Sequence, residues 1–505
     1  MTAELELRGI TKRFPGVLAC DAIDLTVRSG EIHCIVGENG AGKTTLMSIL
    51  YGLLQPDEGH IVVRGERTRI GSPLEAINLG IGMVHQAFKL FPSLTVAENV
   101  VFRQEPSRRG VIDRRGASRR VRELADTYGL AVDPDAVVED LPVGVLQRVE
   151  IIKALYRDAS VLILDEPTAV LTPQERDRLF EVMRRLRDSG HTILFITHKL
   201  AEVMAVADRI SVLRQGRAVA ELLPSETTPE EISRHMTGRD VSPVRRGRTA
   251  QVGEPVLRVA DLEVEGAHGL TAVDGVSFDV RAGEIVGIAA VAGNGQSQLL
   301  EAITGLRPAR AGSIRIAGVD VTDADVARRR TTGLSYIPED RHRVGTVAAA
   351  SVSKNLLMGY QRSPRMRRGR WLSLAAVDQH ARELAERYSI VVHDVGGLAG
   401  TLSGGNLQRV VLAREMSHDS PLLIAEQPTR GVDIGAIQFI HTQILEARDR
   451  GQAVLLVSAE LTEIQALSSR ILVMFEGRIV AELDPDAVDE AEIGLHMTGG
   501  ATVGA

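Results

Sequence analysis

Apolar residues along this chain cluster in short blocks of two kinds. The opening stretch alternates apolar and polar positions, the period of two that a half-buried strand requires, and a second such stretch follows it. Unbroken apolar runs come next: Ile32 to Val36, Val161 to Leu164 and Thr192 to Ile196 are each too short for a helix and long enough for a strand covered on both faces. Between them lie segments of helical period, a pattern through Leu46, Ile49 and Leu50 and a longer one over Pro173 to Asp188. Buried strands alternating with helices predict an α/β domain with a largely parallel, covered sheet. No apolar run approaches the roughly 18 residues of a membrane span.

The pattern then repeats. Arg28-Ser29-Gly30-Glu31-Ile32 returns as Arg281-Ala282-Gly283-Glu284-Ile285, an offset of 253. Arg122 to Ala125 returns at Arg382 to Ala385, an offset of 260, and His235 to Gly238 at His496 to Gly499, an offset of 261. The second copy is therefore expected to carry a small insertion between about residues 340 and 382. The predicted organisation is a domain over 1–240, a short surface linker over 241–254 marked by Pro243, arginines and Gly253, and a second domain over 255–500.

Composition narrows the function classes. Apolar residues at 44% and charged residues at 25% describe a globular chain, and the net charge of -7 is unsuited to coating nucleic acid. Cys20 and Cys34 are the only cysteines, so no disulfide framework is expected, and Met1 to Arg8 lacks a signal-peptide pattern. A cytosolic chain is expected, with other subunits supplying any membrane span. Lysine fills only six positions, about one in eighty, which gives weight to any lysine standing where a phosphate site needs one.

Lys43 is such a residue. The strand-like run to Val36 leads into Gly37-Glu38-Asn39-Gly40-Ala41-Gly42-Lys43-Thr44 and then into the helical pattern, the strand, loop and helix context of a phosphate loop. Glycines let backbone N–H groups curl around phosphate, and the helix N-terminus adds its positive end. Lys43 is predicted to reach the β- and γ-phosphates of ATP and Thr44 to hold Mg²⁺. Downstream, the apolar run from Val161 ends in Asp165 and Glu166. A carboxylate ending a buried strand needs a metal or a partner, so Asp165 is a candidate Mg²⁺ ligand. Glu166, one residue on, is placed to orient or deprotonate an attacking water.

With these residues in place the chain resembles the ATP-binding cassette (ABC) family over essentially its whole length, twice. The resemblance implies an α/β fold of two phosphate-loop ATPase domains, each with a mostly parallel core sheet, an antiparallel β subdomain and an α-helical subdomain. It makes Phe14 the aromatic that stacks on adenine, with Gly37, Asn39, Gly40, Gly42, Lys43, Thr44 and Thr45 around the phosphates. Gln86 becomes the glutamine that senses metal and nucleotide, and His198 the switch histidine on the γ-phosphate. Leu402 followed by Ser403, Gly404, Gly405 and Asn406 resembles the signature that closes over the nucleotide of the opposite cassette.

The copies differ in complementary ways. Gln296, Ser297 and Ala290 stand where Lys43, Thr44 and Gly37 do, and Glu426 and Gln427 where Asp165 and Glu166 do. Ala459, Glu339 and Ala267 replace His198, Gln86 and Phe14. Conversely, the first copy's signature reads Leu141-Pro142-Val143-Gly144-Val145, and its Thr172 stands where the second copy has Asp433. In the family the cassettes pair head to tail. Such pairing within this one chain would join Lys43, Gln86, Asp165, Glu166 and His198 to Ser403 through Asn406 in one working site, leaving a degenerate site at Gln296 and Gln427. There Ser297 and Glu426 are expected to remain able to support Mg²⁺.

Two fused cassettes without a span, with Pro338-Glu339-Asp340-Arg341, resemble ATP-binding subunits of bacterial importers for nucleosides and monosaccharides, closer to the nucleoside branch. That resemblance implies transmembrane permease partners, an extracytoplasmic substrate-binding protein, no nucleic acid, and a place on the cytoplasmic face of the cell membrane. The alternative is a soluble tandem cassette ATPase acting on ribosomes or nucleic acid. The Arg-rich segments 103–122 and 362–370 are read as solvated faces.

Overall fold

In a computed structural model of the chain, the alternating segments at the N-terminus pair as an antiparallel hairpin, Ala3–Phe14 with Val17–Arg28. One face is buried because Leu5, Leu7 and Ile10 of the first strand and Ile23, Leu25 and Val27 of the second all point to it. The structure describes residues 3–15, 17–85, 88–108, 110–168, 171–239, 247, 252–266, 269–291, 293–432 and 434–500. Gln86, Ala267, Asp433 and most of the expected linker lie outside them.

The chain divides into two compact units, Met1–Ser242 and Pro243–Ala505. In the first, the hairpin belongs to a four-stranded antiparallel sheet with Glu58–Val63 and Glu66–Thr68. Beside it lies a six-stranded sheet in the order Arg217–Leu222, Arg209–Arg214, Ile32–Gly37, Thr192–Ile196, Val161–Asp165, Ile81–Val84. All its pairings are parallel except the edge pair Arg209–Arg214 with Arg217–Leu222. Its three central strands are buried along their whole length, as the unbroken apolar runs predicted.

A helical part follows from Val96–Val101, Arg114–Tyr128 and Val143–Tyr156. Thr95 and Glu98 close the first of these helices with a reciprocal cap. Buried Asn99 pins the preceding loop, accepting from the Phe91 N–H and donating to the Phe91 carbonyl.

The second unit repeats this plan. Its antiparallel sheet holds Pro255–Glu265, Thr271–Arg281, Ala311–Ile316 and Val319–Asp320. Its six-stranded sheet runs Leu334–Ile337, Leu422–Glu426, Ala453–Ser458, Ile285–Ala289, Arg470–Phe475, Arg478–Leu483. Val352–Leu357, Leu374–Arg387 and Gly404–Met416 form its helical part. Each unit thus has the three parts of the expected fold class.

The added residues of the second copy fall in two places. Ile81–Val84 maps onto Leu334–Ile337 at offset 253, Val96–Val101 onto Val352–Leu357 at 256, and Val111–Ile112 onto Trp371–Leu372 at 260. The first step in offset contains the π-helical turn Arg341–Gly345, the local signature of inserted residues. Among the described residues no helix is long and apolar enough to cross a membrane.

Candidate functional site

Gly37 ends its strand in close packing: a Cβ there would stand 2.4 Å from the Leu213 carbonyl oxygen. The loop then turns through Gly40 and Gly42, both at positive φ, and a Cβ on Gly42 would stand 2.3 Å from the Ala19 carbonyl oxygen. Helix Lys43–Leu50 therefore starts hard against the antiparallel sheet. It has no side-chain cap and no acid in its first turn, so its leading N–H groups stay available to an anion. Helices at Ser72, Thr95, Asp113, Thr172 and Thr228 are each capped by a side chain, whereas this one shares its uncapped start with the helices that follow Pro142 and Lys199.

Lys43 is buried beneath the loop, its Nζ donating to the carbonyls of Gly37 at 2.6 Å and Glu38 at 3.0 Å. Asn39, Gly40 and Thr44 are exposed at the lip and Thr45 is half-buried. Phe14 sits at the hairpin end, 40% exposed, with the Lys12 ammonium 5.9 Å from its ring centroid. The ring is thus open to a stacking partner.

Strand Val161–Asp165 delivers the two acids. Glu166 takes the left-handed conformation, φ 47°, unusual for a residue with a side chain and held by its N–H donating to Ile196 O at 3.0 Å. This turn brings its Oε1 to 3.0 Å from His198 Nδ1. Burial pushes the Glu166 carboxyl up, but the His198 hydrogen bond and the charges of His198, Lys43 and Lys199 outweigh it and hold the group below its usual range. Glu166 is therefore ionised at neutral pH. Burial lowers the Lys43 ammonium, against the pull of Glu166 and Asp165.

Asp165 behaves oppositely. Burial, with the neighbouring charge of Glu166, pushes its carboxyl to about 6 against the opposing effect of Lys43. Among the described residues none donates a hydrogen bond to the carboxylate, so burial is not offset by donors there. A carboxyl that holds its proton to about 6 when folded and only to 3.8 when unfolded costs stability as pH rises through that window. Above it the cost is about 3 kcal/mol, order of magnitude. Asp165→Asn is accordingly expected to raise the Tm of nucleotide-free protein in EDTA at pH 7.5, with the advantage fading as pH falls toward 4. A variant that melts no higher than the parent at pH 7.5 would contradict this origin of the shift.

The second unit keeps the frame and changes the side chains. Gly295 has φ 95°, and a Cβ there would stand 2.1 Å from the Ala272 carbonyl oxygen, matching Gly42 and Ala19. Helix Gln296–Thr304 again starts without a side-chain cap. Gln296 is buried where Lys43 stands, its Nε2 donating to Val291 O at 3.3 Å and its Oε1 unpartnered. Gln427 repeats the left-handed turn at φ 46°, its N–H donating to Val457 O at 2.7 Å. Its Oε1 accepts from the Ala459 N–H at 3.1 Å, so a neutral amide bonded to backbone replaces the acid and histidine pair.

Glu426 differs most from its counterpart Asp165. Its carboxylate accepts from Tyr336 Oη at 2.5 Å, from the Ser297 hydroxyl, and from the Glu339 N–H at 3.4 Å. Burial still raises this carboxyl despite those donors and raises the Tyr336 phenol with it. Glu339, standing where Gln86 does, is ion-paired with Arg430. The Tyr336 link joins residues 90 apart in sequence and has no local signal that sequence reasoning could use.

The signature turns differ in the same sense. Ser403 caps helix Gly404–Met416, its Oγ accepting from Asn406 N at 3.4 Å and Asn406 Nδ2 at 3.2 Å. Arg341 packs beside this turn, its Nη2 3.0 Å from where a Cβ on Gly404 would stand, and donates to the carbonyls of Arg430 and Gly431. In the first unit Pro142 precedes helix Val143–Tyr156 and offers no cap, and Gly144 is closely packed, a Cβ there standing 2.1 Å from Glu175 Oε1.

A glycine loop running from a buried parallel strand into an uncapped helix, followed by an acid-tipped neighbouring strand and flanked by an antiparallel sheet and a helical part, defines a nucleotide-binding ATPase cassette. The chain belongs to the ABC transporter family, whose model matches residues 20–169 and again 273–430. It is an ATP-binding ATPase of that family.

Its relatives include the glucose import ATP-binding protein TsgD13 of Haloferax volcanii, 48% identical over 542 residues, with 100% of this chain and 98% of the relative covered. The guanosine import ATP-binding protein NupO of Bacillus subtilis is 46% identical over 496 residues, with 98% and 97% covered. The nucleoside import ATP-binding protein NupA of Lactococcus lactis subsp. cremoris is 44% identical over 496 residues, with 98% of each covered. Among solved structures, the complex of the archaeal ribosome recycling factor aABCE1 with the ribosomal stalk protein aP1 aligns with TM-score 0.62 at 19% identity, over 94% of this chain and 90% of that one. That likeness is one of fold.

Proposed function

We propose that the chain is the ATP-hydrolysing subunit of an importer for nucleosides or simple sugars, with one catalytic and one degenerate composite site. The observation that carries this reading is the Glu166 and His198 pair near Lys43 in one unit against the Gln427 and Ala459 contact, with Gln296 at the lysine's position, in the other. A head-to-tail pairing of the cassettes unites the first set with the capped Ser403 turn and gives the second set the uncapped Pro142 turn. The relatives named for import of nucleosides and glucose support the same class of cargo.

In the catalytic site Phe14 stacks on the adenine, and the Gly37 to Thr45 loop and Lys43 bind the phosphates. Ser403 to Asn406 close over the γ-phosphate from the opposite cassette. Ionised Glu166 orients the attacking water and accepts its proton, while His198, held by Glu166, faces the γ-phosphate. Asp165, a buried carboxylate without a hydrogen-bond donor among the described residues, suits a divalent cation, with Thr44 and Gln86 as the other residues that would hold it. Mg²⁺ bound there supplies charge neutralisation of the phosphate oxygens.

In the degenerate site the residues do not suit the ion. Ser297 and Tyr336 both donate to Glu426, so the hydroxyl that would meet a cation is spent on the carboxylate. The sequence alone had left this pair available to Mg²⁺. The degenerate site binds ATP without efficient turnover in this proposal.

Cytosolic closure of the cassettes would drive permease subunits in the membrane, with an extracytoplasmic protein delivering the cargo. Liposomes carrying the permease and loaded binding protein are expected to raise ATP turnover severalfold, and ribosomes to leave it unchanged. Stimulation by ribosomes alone would replace this reading with that of a soluble tandem ATPase.

A further inference from the structure

Each unit carries a small two-stranded hairpin in its helical part that the ATPase reading does not use. In the second unit it joins Arg367–Arg368 to Trp371–Leu372 through Gly369 at φ 62°. Trp371 is 82% exposed and nearby Leu374 70%, whereas Met366 is buried and roots the hairpin. An indole and a leucine standing in water are costly, and their clustering marks a contact surface. The sequence around them is strongly cationic. Arg362, Arg365, Arg367, Arg368 and Arg370 fall within nine residues, and no acid occurs from Arg341 through Val377. All five are exposed, and among the described residues none has an ion-pair partner.

The first unit repeats the device at the equivalent place. Ser107–Arg108 pairs with Val111–Ile112, which are 71% and 57% exposed, and exposed Arg114, Arg115 and Arg119 follow on the next helix. What the two hairpins share is an exposed apolar pair beside arginines, in a chain whose net charge is -7.

We propose that these hairpins contact the headgroup region of a bilayer containing anionic phospholipid. Arginines near such a surface are drawn to it, and apolar tips beside them enter the interface, where tryptophan is especially well accommodated. A single-stranded nucleic acid would also attract the arginines, but it is gripped by flat rings on which bases stack. Val111 and Ile112 offer no such ring, whereas they suit an acyl boundary as well as Trp371 and Leu372 do. The proposal rests on the hairpins alone and does not require the importer reading to hold.

Trp371 is the only tryptophan in the chain, so fluorescence excited beyond the absorption band of the six tyrosines reports this hairpin. Adding vesicles of phosphatidylcholine with about a third phosphatidylglycerol to the full chain is expected to shift its emission several nanometres to the blue and to co-sediment the protein. Pure phosphatidylcholine vesicles are expected to do neither, and about 0.5 M salt to reverse both effects. Replacing Arg367, Arg368 and Arg370 by alanine should weaken vesicle binding by roughly a hundredfold, with basal ATP turnover retained as the sign of a folded protein. An unshifted spectrum with anionic vesicles overturns the proposal. So does equal binding to neutral vesicles, or a stronger response to an oligoribonucleotide than to anionic lipid. The wild-type spectrum decides the matter even if the triple variant fails to fold.

Discussion

Glu166→Gln is expected to reduce ATP turnover by about two to four powers of ten while nucleotide still binds, and Gln427→Ala to change turnover less than about twofold. The two residues share a position and a backbone conformation, φ 47° and 46°, so the contrast isolates side-chain chemistry from scaffold. Glu166 is held ionised by His198 and by nearby Lys43 and Lys199, and can accept a proton from water. An amide cannot, although it preserves size and much of the hydrogen bonding. Gln427 already is an amide, tied to the Ala459 N–H, and its loss removes no acid or base. Steady-state turnover together with a binding isotherm for each variant checks this. Similar losses from both changes would sink the asymmetric reading.

The second large effect is a count. With a non-hydrolysable ATP analogue and Mn²⁺ standing in for Mg²⁺, the full chain is expected to bind one ion, read from the loss of free Mn²⁺ signal in electron paramagnetic resonance. Asp165→Asn should abolish that ion and Glu426→Gln leave it in place. The reason is the difference in donors: among the described residues Asp165 receives no hydrogen bond, while Glu426 receives them from Tyr336, Ser297 and the Glu339 N–H. A carboxylate already surrounded by donors has little to gain from a cation. Two ions per chain, or one that disappears with Glu426→Gln and survives Asp165→Asn, would show that the second unit takes metal after all.

Much of this arrangement was legible in the sequence where chemistry is local. The loop from Gly37 to Thr44, the run Val161 to Leu164 ending in acids, and the helix Pro173–Asp188 declare themselves by spacing and period. The repeat offsets then pointed to Gln296, Glu426 and Gln427 as the counterparts of Lys43, Asp165 and Glu166, while Ala267 and Asp433 lie outside the described residues. What sequence could not supply is contact across long separations. Tyr336 reaches Glu426 over 90 residues, and nothing near either predicts the bond. The left-handed turns at Glu166 and Gln427 were equally hidden, because neither residue type favours that conformation and the carbonyls of Ile196 and Val457 that hold them lie on another strand. The arginine segments were read as solvated faces. Their charge was visible in sequence, but the exposed apolar pairs beside them emerged only with the hairpins in three dimensions.

Gly42 against the Ala19 carbonyl and Gly295 against the Ala272 carbonyl are the same close approach made twice. One belongs to a loop armed with lysine and the other to a loop without it. Disarmament has touched the tips of side chains and spared the architecture beneath them. On the asymmetric reading proposed above, the half without turnover keeps the mould of the half with it, and exchanging a few side chains at its phosphate loop and acid turn would meet a frame that already has the right shape.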